Sequence, residues 1–398
     1  MDTYTIDLPA ADAAIVARAE ALRPAIAAAS EEIEKQRRLP VSLLEQLHEA
    51  RLFRMLMPRS ANGLETDPVT FFHVIEAIAR GDASTAWCVS QAGGCSMSAA
   101  YLSADAAHHV FGRDPRAVLA WGPGPRVKAT VTEGGYRVTG VWAFASGGRH
   151  ATWIGAHCPI FQPDGSPLRD ADGRHVERTM LVPAADVVWT DIWNVVGLRG
   201  TASDQFELND YFVPASHSIT REYEKECRES GPLYRMSAMA CYEVGFAGVA
   251  LGIARASLDA FVDVARNKVP RGMRSAIRDN AVVQMNTAQA EIRVRAARTY
   301  LLHVVGSIWR DVGAPGGKLT DEHRIMIRGA STHAIHTARD AVDMAYNATG
   351  ATAIFGSHPL ERRFRDIHPV TQQLQGRLSH FETVGAWMLG ADVDMTFV

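Results

Sequence analysis

The sequence predicts a multidomain α+β protein: an N-terminal helical domain, a central β barrel or sandwich, and a C-terminal bundle of four long helices. Apolar residues recur at helical spacing in the first quarter of the chain, alternate with polar residues in the second quarter, and return to helical spacing after about residue 220. With 398 residues, 47% of them hydrophobic, the chain is long enough for two or three domains. We place the domains at 1–114, 115–219 and 220–398.

Four helices are predicted in the first domain. An alanine-rich segment is followed by one that opens with Pro40, a residue that fits the first turn of a helix. Two further segments with helical periodicity follow before the pattern changes. The predicted helices span residues 10–36, 40–51, 68–80 and 83–101.

The central domain shows the two-residue period of β-strands. Val127, Ala129 and Val131 alternate with polar residues, and the Glu-Gly-Gly sequence at 133–135 predicts a hairpin turn into residues 136–141. Further β-rich segments are separated by loops rich in glycine, proline and aspartate. Strands are predicted at 152–158, 179–182 and 205–213.

Four long helices are predicted after a charged connector, 220–232. Thr320 is a suitable N-cap, and Gly350 is a suitable C-terminal stop. The most apolar segment, 236–264, carries charged side chains at intervals that are costly in a bilayer, so we expect a buried helix rather than a membrane span. The predicted helices span residues 234–267, 277–312, 320–349 and 378–389.

Composition argues against several classes of function. The formal net charge is −3, from 41 basic and 44 acidic residues spread along the chain, so the sequence offers no basic stripe for a nucleic-acid backbone. The five cysteines lack CxxC spacing, which indicates reduced thiols rather than disulfides or zinc ligands. The N-terminal sequence MDTYTIDLPAADAA lacks the features of a signal peptide. We therefore expect a cytoplasmic protein without nucleic-acid or membrane partners.

Common cofactor and metal motifs are missing or incomplete in the sequence. The glycine-rich segment 122–125 lacks the spacing of a dinucleotide fingerprint, and neither a Walker loop nor a GxSxG elbow is present. Glu45 and His48 match one ExxH pair of a di-iron site, but the sequence has no second pair. His333 and His336 can share a helix face, yet no carboxylate stands at ligand spacing. We expect no metal site.

Three motifs follow one another along the chain: Trp142-Ala-Phe-Ala-Ser-Gly147, Gly197-Leu-Arg-Gly-Thr-Ala-Ser203 and Pro359-Leu-Glu-Arg-Arg-Phe-Arg-Asp366. Together with the order of helices, β domain and helices, they resemble the acyl-CoA dehydrogenase superfamily over nearly the whole chain. Within that superfamily, the chain resembles the oxygenase components of two-component flavin-dependent monooxygenases.

The resemblance implies a flavin between the β domain and the helical bundle. Ser146 would form a hydrogen bond with flavin N5, whereas the plainer interpretation is a side chain that stabilises a turn. Arg199, Thr201 and Ser203 would support the flavin ring or its side chain. Ala202 stands where the family frequently has glycine, so this loop departs from the family pattern. The implied cofactor contacts are Trp121, Trp142, Phe144, Ala145, Ser146, Arg199 and Thr201.

The oxygenase branch of the family also implies the substrate contacts. His368 follows an Arg-Asp pair where that branch places an active-site histidine, and imidazole suits hydrogen bonding to an oxygenated flavin or a substrate hydroxyl. Trp87 matches a position that faces the same cavity. The plainer interpretations are a helix-end histidine and a core tryptophan. We predict His368 and Ser146 as catalytic residues, and Trp87, Cys95 and His368 as substrate contacts.

A dehydrogenase of this family needs a carboxylate base, commonly a glutamate shortly after the Arg-Asp pair. Residues 367–376 contain no carboxylate. A second family position for the base lies on the first bundle helix, where Glu243 stands. A flavoprotein dehydrogenase or oxidase therefore stays open as an alternative, and a non-catalytic binding or assembly protein is the other alternative.

The resemblance implies that the protein hydroxylates a small aromatic molecule with O2 and reduced flavin, either FMNH2 or FADH2, through a C4a-hydroperoxyflavin. A separate flavin reductase would supply the reduced flavin, which agrees with the missing dinucleotide fingerprint. Because the bundles of this family pack on one another, the resemblance also implies a homotetramer.

Overall fold

The computed structural model describes residues 10–220 and 224–395, and these residues form helices, a mixed β-sheet and a second group of helices, in that order. This is the predicted α+β order. Apolar side chains of both helical groups belong to one hydrophobic core, and the strands enclose a second core. The two helical regions therefore pack on each other, and the β domain is attached to one side of them.

Short acidic side chains begin several N-terminal helices. Asp12, Asp67 and Asp82 each accept backbone N–H groups of a first helical turn, as their residue type favours. The fourth predicted helix ends earlier than expected, because the chain tightens into a 3-10 turn at Met97–Tyr101. The helices are α1 (Ala13–Gln36), α2 (Val41–Glu49), α3 (Pro68–Gly81), α4 (Ala83–Ser96) and α5 (Ala104–Ala107).

The described part of the chain forms an eight-stranded sheet. Its strands are β1 (Leu119–Gly122), β2 (Arg126–Thr132), β3 (Gly135–Ala145), β4 (Trp153–Phe161), β5 (Glu177–Pro183), β6 (Val188–Thr190), β7 (Asp204–Pro214) and β8 (Ser218–Ile219). The predicted hairpin is confirmed, since β2 and β3 pair antiparallel around Gly134, whose φ of 74° suits glycine. The sequence does not predict β1, β6 or β8, because each is too short to show an alternating pattern.

The strand order is β6-β7-β3-β2-β4-β5-β8, with β1 paired in parallel to β4. The two halves of the sheet join where β2 meets β4, through only two residue pairs that begin with Ala129 and Ile160. Apolar side chains from both halves share one core, in which Trp142 stacks on Phe206 with ring centroids 5.1 Å apart. This is a sandwich of two half-sheets, within the predicted class.

Long helices return after the β domain. They are α6 (Ala238–Asn267), α7 (Ala281–Gly313), α8 (Asp321–Thr349), α9 (Pro359–Gln372) and α10 (Ser379–Met388). The first three predicted bundle helices are confirmed. The fourth is confirmed as the 10-residue α10, and the correction is the 14-residue α9, which packs against α6 and α8 and was not predicted as a helix. Its dense charge and its internal Pro369 obscure the helical pattern of apolar residues.

By length and composition α6 could cross a membrane, but 83% of its most apolar window is buried inside the protein. It packs against α3, α4 and α8. The approach to α3 is close, because a Cβ atom at Gly252 would lie 2.5 Å from the Cβ of Ala79 and 2.6 Å from the carbonyl oxygen of Glu76. The prediction of a buried core helix is thus confirmed.

Candidate functional site

Strand β3 ends in a turn that buries the hydroxyl of Ser146. Phe144 has a φ of 60°, a left-handed conformation that is strained for a bulky residue. The Ser146 amide donates to the Phe144 carbonyl at 2.8 Å, and the next amide, of Gly147, donates to the carbonyl of Thr201 at 2.9 Å. The turn is therefore tied to the Gly197–Ser203 motif, and Ser146 is only 8% exposed.

One indole and three hydroxyl groups form a hydrogen-bonded chain at this turn. The Nε1–H of Trp87 donates to Ser146 Oγ at 3.0 Å, and Ser146 Oγ lies 2.7 Å from Ser203 Oγ. Ser203 Oγ lies 2.8 Å from Thr201 Oγ1, which lies 2.9 Å from the carbonyl oxygen of Leu198. A hydroxyl can donate one hydrogen bond and accept two. Ser146 therefore keeps the capacity for one further partner.

Helices from both halves of the chain hold the loop 197–203. The Leu198 amide donates to the carboxylate of Asp366 on α9 at 2.7 Å. The Gly200 amide donates to Ser84 Oγ on α4 at 3.2 Å. The three hydrogen-bonded hydroxyls of Ser146, Ser203 and Thr201 are called the hydroxyl chain below. These contacts fix its position, because Ser203 and Thr201 lie on the loop 197–203.

Arg199 and Ala202 also lie in the loop 197–203. The Arg199 guanidinium lies 3.5 Å from the Glu34 carboxylate on α1, so it helps to hold the loop. Ala202 has a φ of 42°, which glycine adopts with less strain, in accord with the glycine frequent there in the family. That Arg199 and Thr201 also contact the cofactor stays a prediction.

An exposed apolar surface lies beside the Ser146 turn. Phe144 is 59% exposed, and its ring meets the ring of Trp193 edge-on with centroids 6.0 Å apart. Ile192 and Val196, in the loop that carries Trp193, are also exposed. Exposed large apolar side chains next to a few directed polar groups are typical of a ligand-binding surface.

Three predicted cofactor contacts lie deeper in the β domain. Trp142 and Ala145 are fully buried, and the indole of Trp142 donates to the carbonyl of His157 at 3.0 Å. Trp121 is also buried, with its ring 5.0 Å from the ring of His157. In this structure these side chains support the strand that carries Ser146. Their direct contact with a cofactor stays a prediction.

Trp87 and Cys95 of α4 meet aromatic residues of α6. Trp87 stacks on Phe246 with centroids 4.1 Å apart, and Phe246 lies nearly parallel to Tyr242 at 5.8 Å. The sulfur of Cys95 lies 3.3 Å from the hydroxyl of Tyr242. Tyr242 and Phe246 were not predicted as site residues, although their spacing of four residues puts them on one face of α6. Together these residues form an aromatic row behind Ser146.

His368 lies on α9, the helix whose Asp366 anchors the loop 197–203. Its Nδ1 lies 2.6 Å from the carbonyl oxygen of Phe364, so Nδ1 carries a hydrogen and donates it. Nε2 is then the atom that can serve another partner, and it lies 3.5 Å from the carboxylate of Asp343. Burial raises the pKa of the Asp343 carboxyl, and the nearby His368 opposes this shift. The hydrogen bond to Phe364 therefore orients the half-exposed imidazole and leaves Nε2 as the ring nitrogen that can form a hydrogen bond with a ligand.

Glu243, the alternative base, is engaged in a buried ion pair. Its carboxylate lies 2.7 Å from the guanidinium of Arg328, and both side chains are almost fully buried. Arg328 also lies 2.8 Å from Nε2 of His380. Burial raises the pKa of Glu243 to about 7, while Arg328 and Arg324 oppose this shift. A carboxylate held this way is costly to detach from its partner, which argues for a structural role.

The incomplete ExxH pair is also explained by structural contacts. Glu45 accepts hydrogen bonds from Arg116, and the His48 ring packs 4.8 Å from the ring of Phe53. Within residues 10–220 and 224–395, no group of three His, Cys, Asp or Glu side chains could hold a metal ion.

A polar cleft of about 250 Å³ adjoins the apolar surface. Arg37 binds Asp191 at 2.5 Å, and Arg149 binds the buried Asp204. The sequence gives no signal for this cleft, because its walls come from four separate segments of the chain. The lining residues are Gln36, Arg37, Arg38, Arg149, Asp191, Trp193, Ala202 and Asp204.

Known proteins match the chain in both sequence and structure. The family models "Acyl-CoA dehydrogenase, N-terminal domain" and "Acyl-CoA dehydrogenase, C-terminal domain" match residues 15–107 and 244–375. The flavin-dependent monooxygenase oxygenase subunit HsaA of Rhodococcus jostii is 29% identical, over 88% of this chain and 91% of the relative. The indole-3-acetate monooxygenase of Pseudomonas putida is 27% identical, over 90% of this chain and 89% of the relative.

A solved structure extends this similarity to a flavin complex. XiaF from a Streptomyces species, solved with FADH2 and glycerol, superposes with a TM-score of 0.85 and 27% identity. The superposition covers 95% of this chain and 95% of XiaF. The likeness therefore extends over all three regions of the fold, including the β domain between the two matched family models.

Proposed function

The chain belongs to the acyl-CoA dehydrogenase family, and from this premise we propose that it is the oxygenase component of a two-component flavin-dependent monooxygenase. It hydroxylates a small aromatic substrate with O2 and reduced flavin, either FMNH2 or FADH2. The hydroxyl chain that ends at Ser146 carries this proposal, because it presents one directed polar group beside an exposed aromatic surface. Relatives named as flavin-dependent monooxygenases support it.

The residues at the turn fit a flavin. An isoalloxazine ring is flat and largely apolar, with polar atoms at one edge. Phe144 and Trp193 offer apolar surface for such a ring, and Ser146 has one hydrogen-bonding position left for its edge. When bound, the reduced flavin supplies the electrons that activate O2.

The substrate side of the site is built from aromatic groups. Trp87, Phe246 and Tyr242 lie in one row, which suits a flat aromatic molecule through stacking and apolar contact. The carbonyl of Phe364 on the same helix engages Nδ1 of His368 and not Nε2. Nε2 can therefore accept a proton from a substrate hydroxyl, or donate one when the imidazole is charged. Low exposure of Trp87 and Ser146 keeps water away from the reacting groups.

Partners and location follow from the same proposal. A separate reductase supplies the reduced flavin, since the sequence has no dinucleotide fingerprint of its own. Four chains assemble through their helical bundles, which carry exposed apolar side chains. The protein works in the cytoplasm, where its five cysteines, none of which forms a disulfide, stay reduced.

Flavin binding and oxygen transfer test the proposal directly. We expect anaerobic titration to show tighter binding of reduced FMN or FAD than of the oxidised form. On mixing with ¹⁸O2 and a panel of phenols and indoles, one labelled oxygen atom should enter the product. Tight binding of oxidised FAD that an acyl thioester bleaches without oxygen would instead favour a dehydrogenase. Absence of flavin binding in either state would favour a binding or assembly protein.

A further inference from the structure

The hydrogen atoms of the hydroxyl chain can be arranged in two ways. The indole of Trp87 is only a donor, so Ser146 Oγ accepts a hydrogen bond there in both arrangements. Each of the three hydroxyls has a single hydrogen, so the direction of one bond in the chain fixes the direction of the next.

In the inward arrangement, Ser146 donates to Ser203, and Ser203 donates to Thr201. The Thr201 hydroxyl then donates to the carbonyl of Leu198. Ser146 Oγ is left with a lone pair but no hydrogen for an outside partner. In this state Ser146 can only accept a hydrogen bond from a ligand.

In the outward arrangement, Thr201 donates to Ser203, and Ser203 donates to Ser146. Ser146 now accepts from both Trp87 and Ser203, so its own hydrogen points outward. The Leu198 carbonyl loses the Thr201 hydroxyl but keeps the Nε1–H of Trp193 at 3.0 Å and the Thr201 amide at 3.2 Å. Reversing the direction of the hydrogen bonds therefore leaves the buried Leu198 carbonyl with hydrogen-bond partners, so the free-energy cost of the reversal is small.

We propose that the chain reverses with the oxidation state of the flavin, which makes Ser203 and Thr201 positioning residues for the cofactor contact. N5 carries a hydrogen and donates in reduced flavin, whereas N5 of oxidised flavin accepts. Ser146 must therefore accept in one state and donate in the other. This inference rests on the proposed function and on the contact between Ser146 and flavin N5 that the family resemblance implies.

Thr201→Val is the sharpest test, because it removes a hydroxyl that does not touch Ser146. Among the described residues, Ser146 is then the one hydroxyl partner that Ser203 keeps, so the chain is fixed in the outward arrangement. The dissociation constant of reduced flavin should rise about tenfold, while that of oxidised flavin changes less than about twofold. The midpoint potential of bound flavin should fall by about 30 mV, the two-electron equivalent of a tenfold change.

Three further variants complete the experiment. Ser203→Ala removes the oxygen that accepts the hydrogen of Ser146 in the inward arrangement, so it should also weaken the binding of reduced flavin selectively. Thr201→Ser keeps the hydroxyl and should restore the wild-type ratio of dissociation constants. Ser84→Ala is the matched control, since Ser84 holds the same loop through the Gly200 amide but lies outside the chain. It should change both dissociation constants by the same factor or not at all.

The outcomes separate the inference from the function on which it rests. If wild-type protein binds no flavin in either state, the proposed function fails. A different result is that wild-type protein binds flavin, but Thr201→Val and Ser203→Ala weaken the binding of reduced and oxidised flavin equally. In that case the hydroxyl chain only holds the loop, and the inference is wrong. Selective loss of reduced-flavin affinity in both variants, with Ser84→Ala unselective, supports it.

Discussion

At the scale of single residues, the WAFASG motif shows where sequence reasoning succeeds and where it stops. Alternation along β3 places Trp142 in the core, and on that pattern Phe144 would be buried beside it. The register of β3 against β7 shifts between Trp142 and Ala145, so Phe144 is exposed and Ala145 is buried instead. A motif identifies the turn, but a bulge decides which side chains face the ligand.

His368→Ala tests the role of the imidazole. Without this group, oxygen should still be reduced, but hydroxylated product per flavin oxidised should fall by about 100-fold or more, within the range for loss of a general acid or base. The measurement compares the amount of hydroxylated product with the amount of flavin oxidised. His333→Ala, on the exposed side of α8, is the control and should leave the yield unchanged. Equal yields in His368→Ala and wild type would remove the catalytic role.

Asp366→Asn tests how a buried carboxyl affects stability. Burial, and to a smaller degree the charge of Asp82, raises the pKa of Asp366 to about 7. Between about pH 4 and about pH 7, the Asp366 carboxyl keeps its proton in the folded protein but has released it in the unfolded chain, where its pKa is 3.8. The contribution of Asp366 to the free energy of unfolding therefore falls as the pH rises through this range. We expect the variant to melt higher than wild type by about 2 °C or more at pH 8.

The difference in melting temperature between Asp366→Asn and wild type should become smaller as the pH is lowered towards 5, because the wild-type carboxyl is then protonated in the folded state. Thermal melts at pH 5, 6, 7 and 8 measure this difference. Asp172→Asn, at an exposed loop position, is the control and should show no such trend. A pH-independent difference for Asp366→Asn would contradict the raised pKa.

At the scale of elements, the long bundle helices were predictable because each carries many turns of apolar periodicity. Helix α9 was not, since its sequence is dense in charge and its apolar positions are few. Leu360, Ile367 and Val370 are nevertheless fully buried, and Arg365 is held by Glu361 one turn earlier and by Glu34 of α1. Tertiary ion pairs therefore stabilise a helix whose sequence alone indicates a connecting segment.

Helix packing gives a matched pair of glycine substitutions. Gly252→Ala should destabilise the protein by about 1–3 kcal/mol, because its Cβ would overlap Ala79 and a carbonyl of α3. Gly329→Ala on α8 meets only ordinary contacts with Val384, so the better helix propensity of alanine should stabilise by up to about 1 kcal/mol. Denaturant unfolding measures both. Equal effects of the two variants would contradict the close contact between α3 and α6.

At the scale of the whole molecule, the order of helices, sheet and helices followed from periodicity, and the family resemblance followed from three short motifs. The resemblance implied that these motifs share one flavin site, but the hydrogen bonds that join them could not be predicted, because they form between distant segments. Ser203 and Trp87, for example, both reach Ser146 although they lie 57 and 59 residues from it in the chain. Spacing along the sequence contains no record of such contacts.

Assembly is a property of the whole chain that can be measured. The C-terminal end of the bundle exposes Leu378, Met388 and Leu389, which are 60%, 79% and 88% exposed. We expect sedimentation to give a mass four times that of the 43.3 kDa chain. Met388→Glu with Leu389→Glu should produce smaller species, because charge is costly in an apolar interface. Val41→Glu, at an exposed apolar position of α2, should keep the tetramer.

The loop that positions the hydroxyl chain is held by Glu34 and Ser84 from the first quarter of the chain and by Asp366 from its last tenth. A ribosome therefore releases the β domain long before the helix that completes the clamp. The nascent chain can form its strands early, but the cofactor site matures only as synthesis ends. We therefore expect the protein to take up flavin only after its last helices have been synthesised.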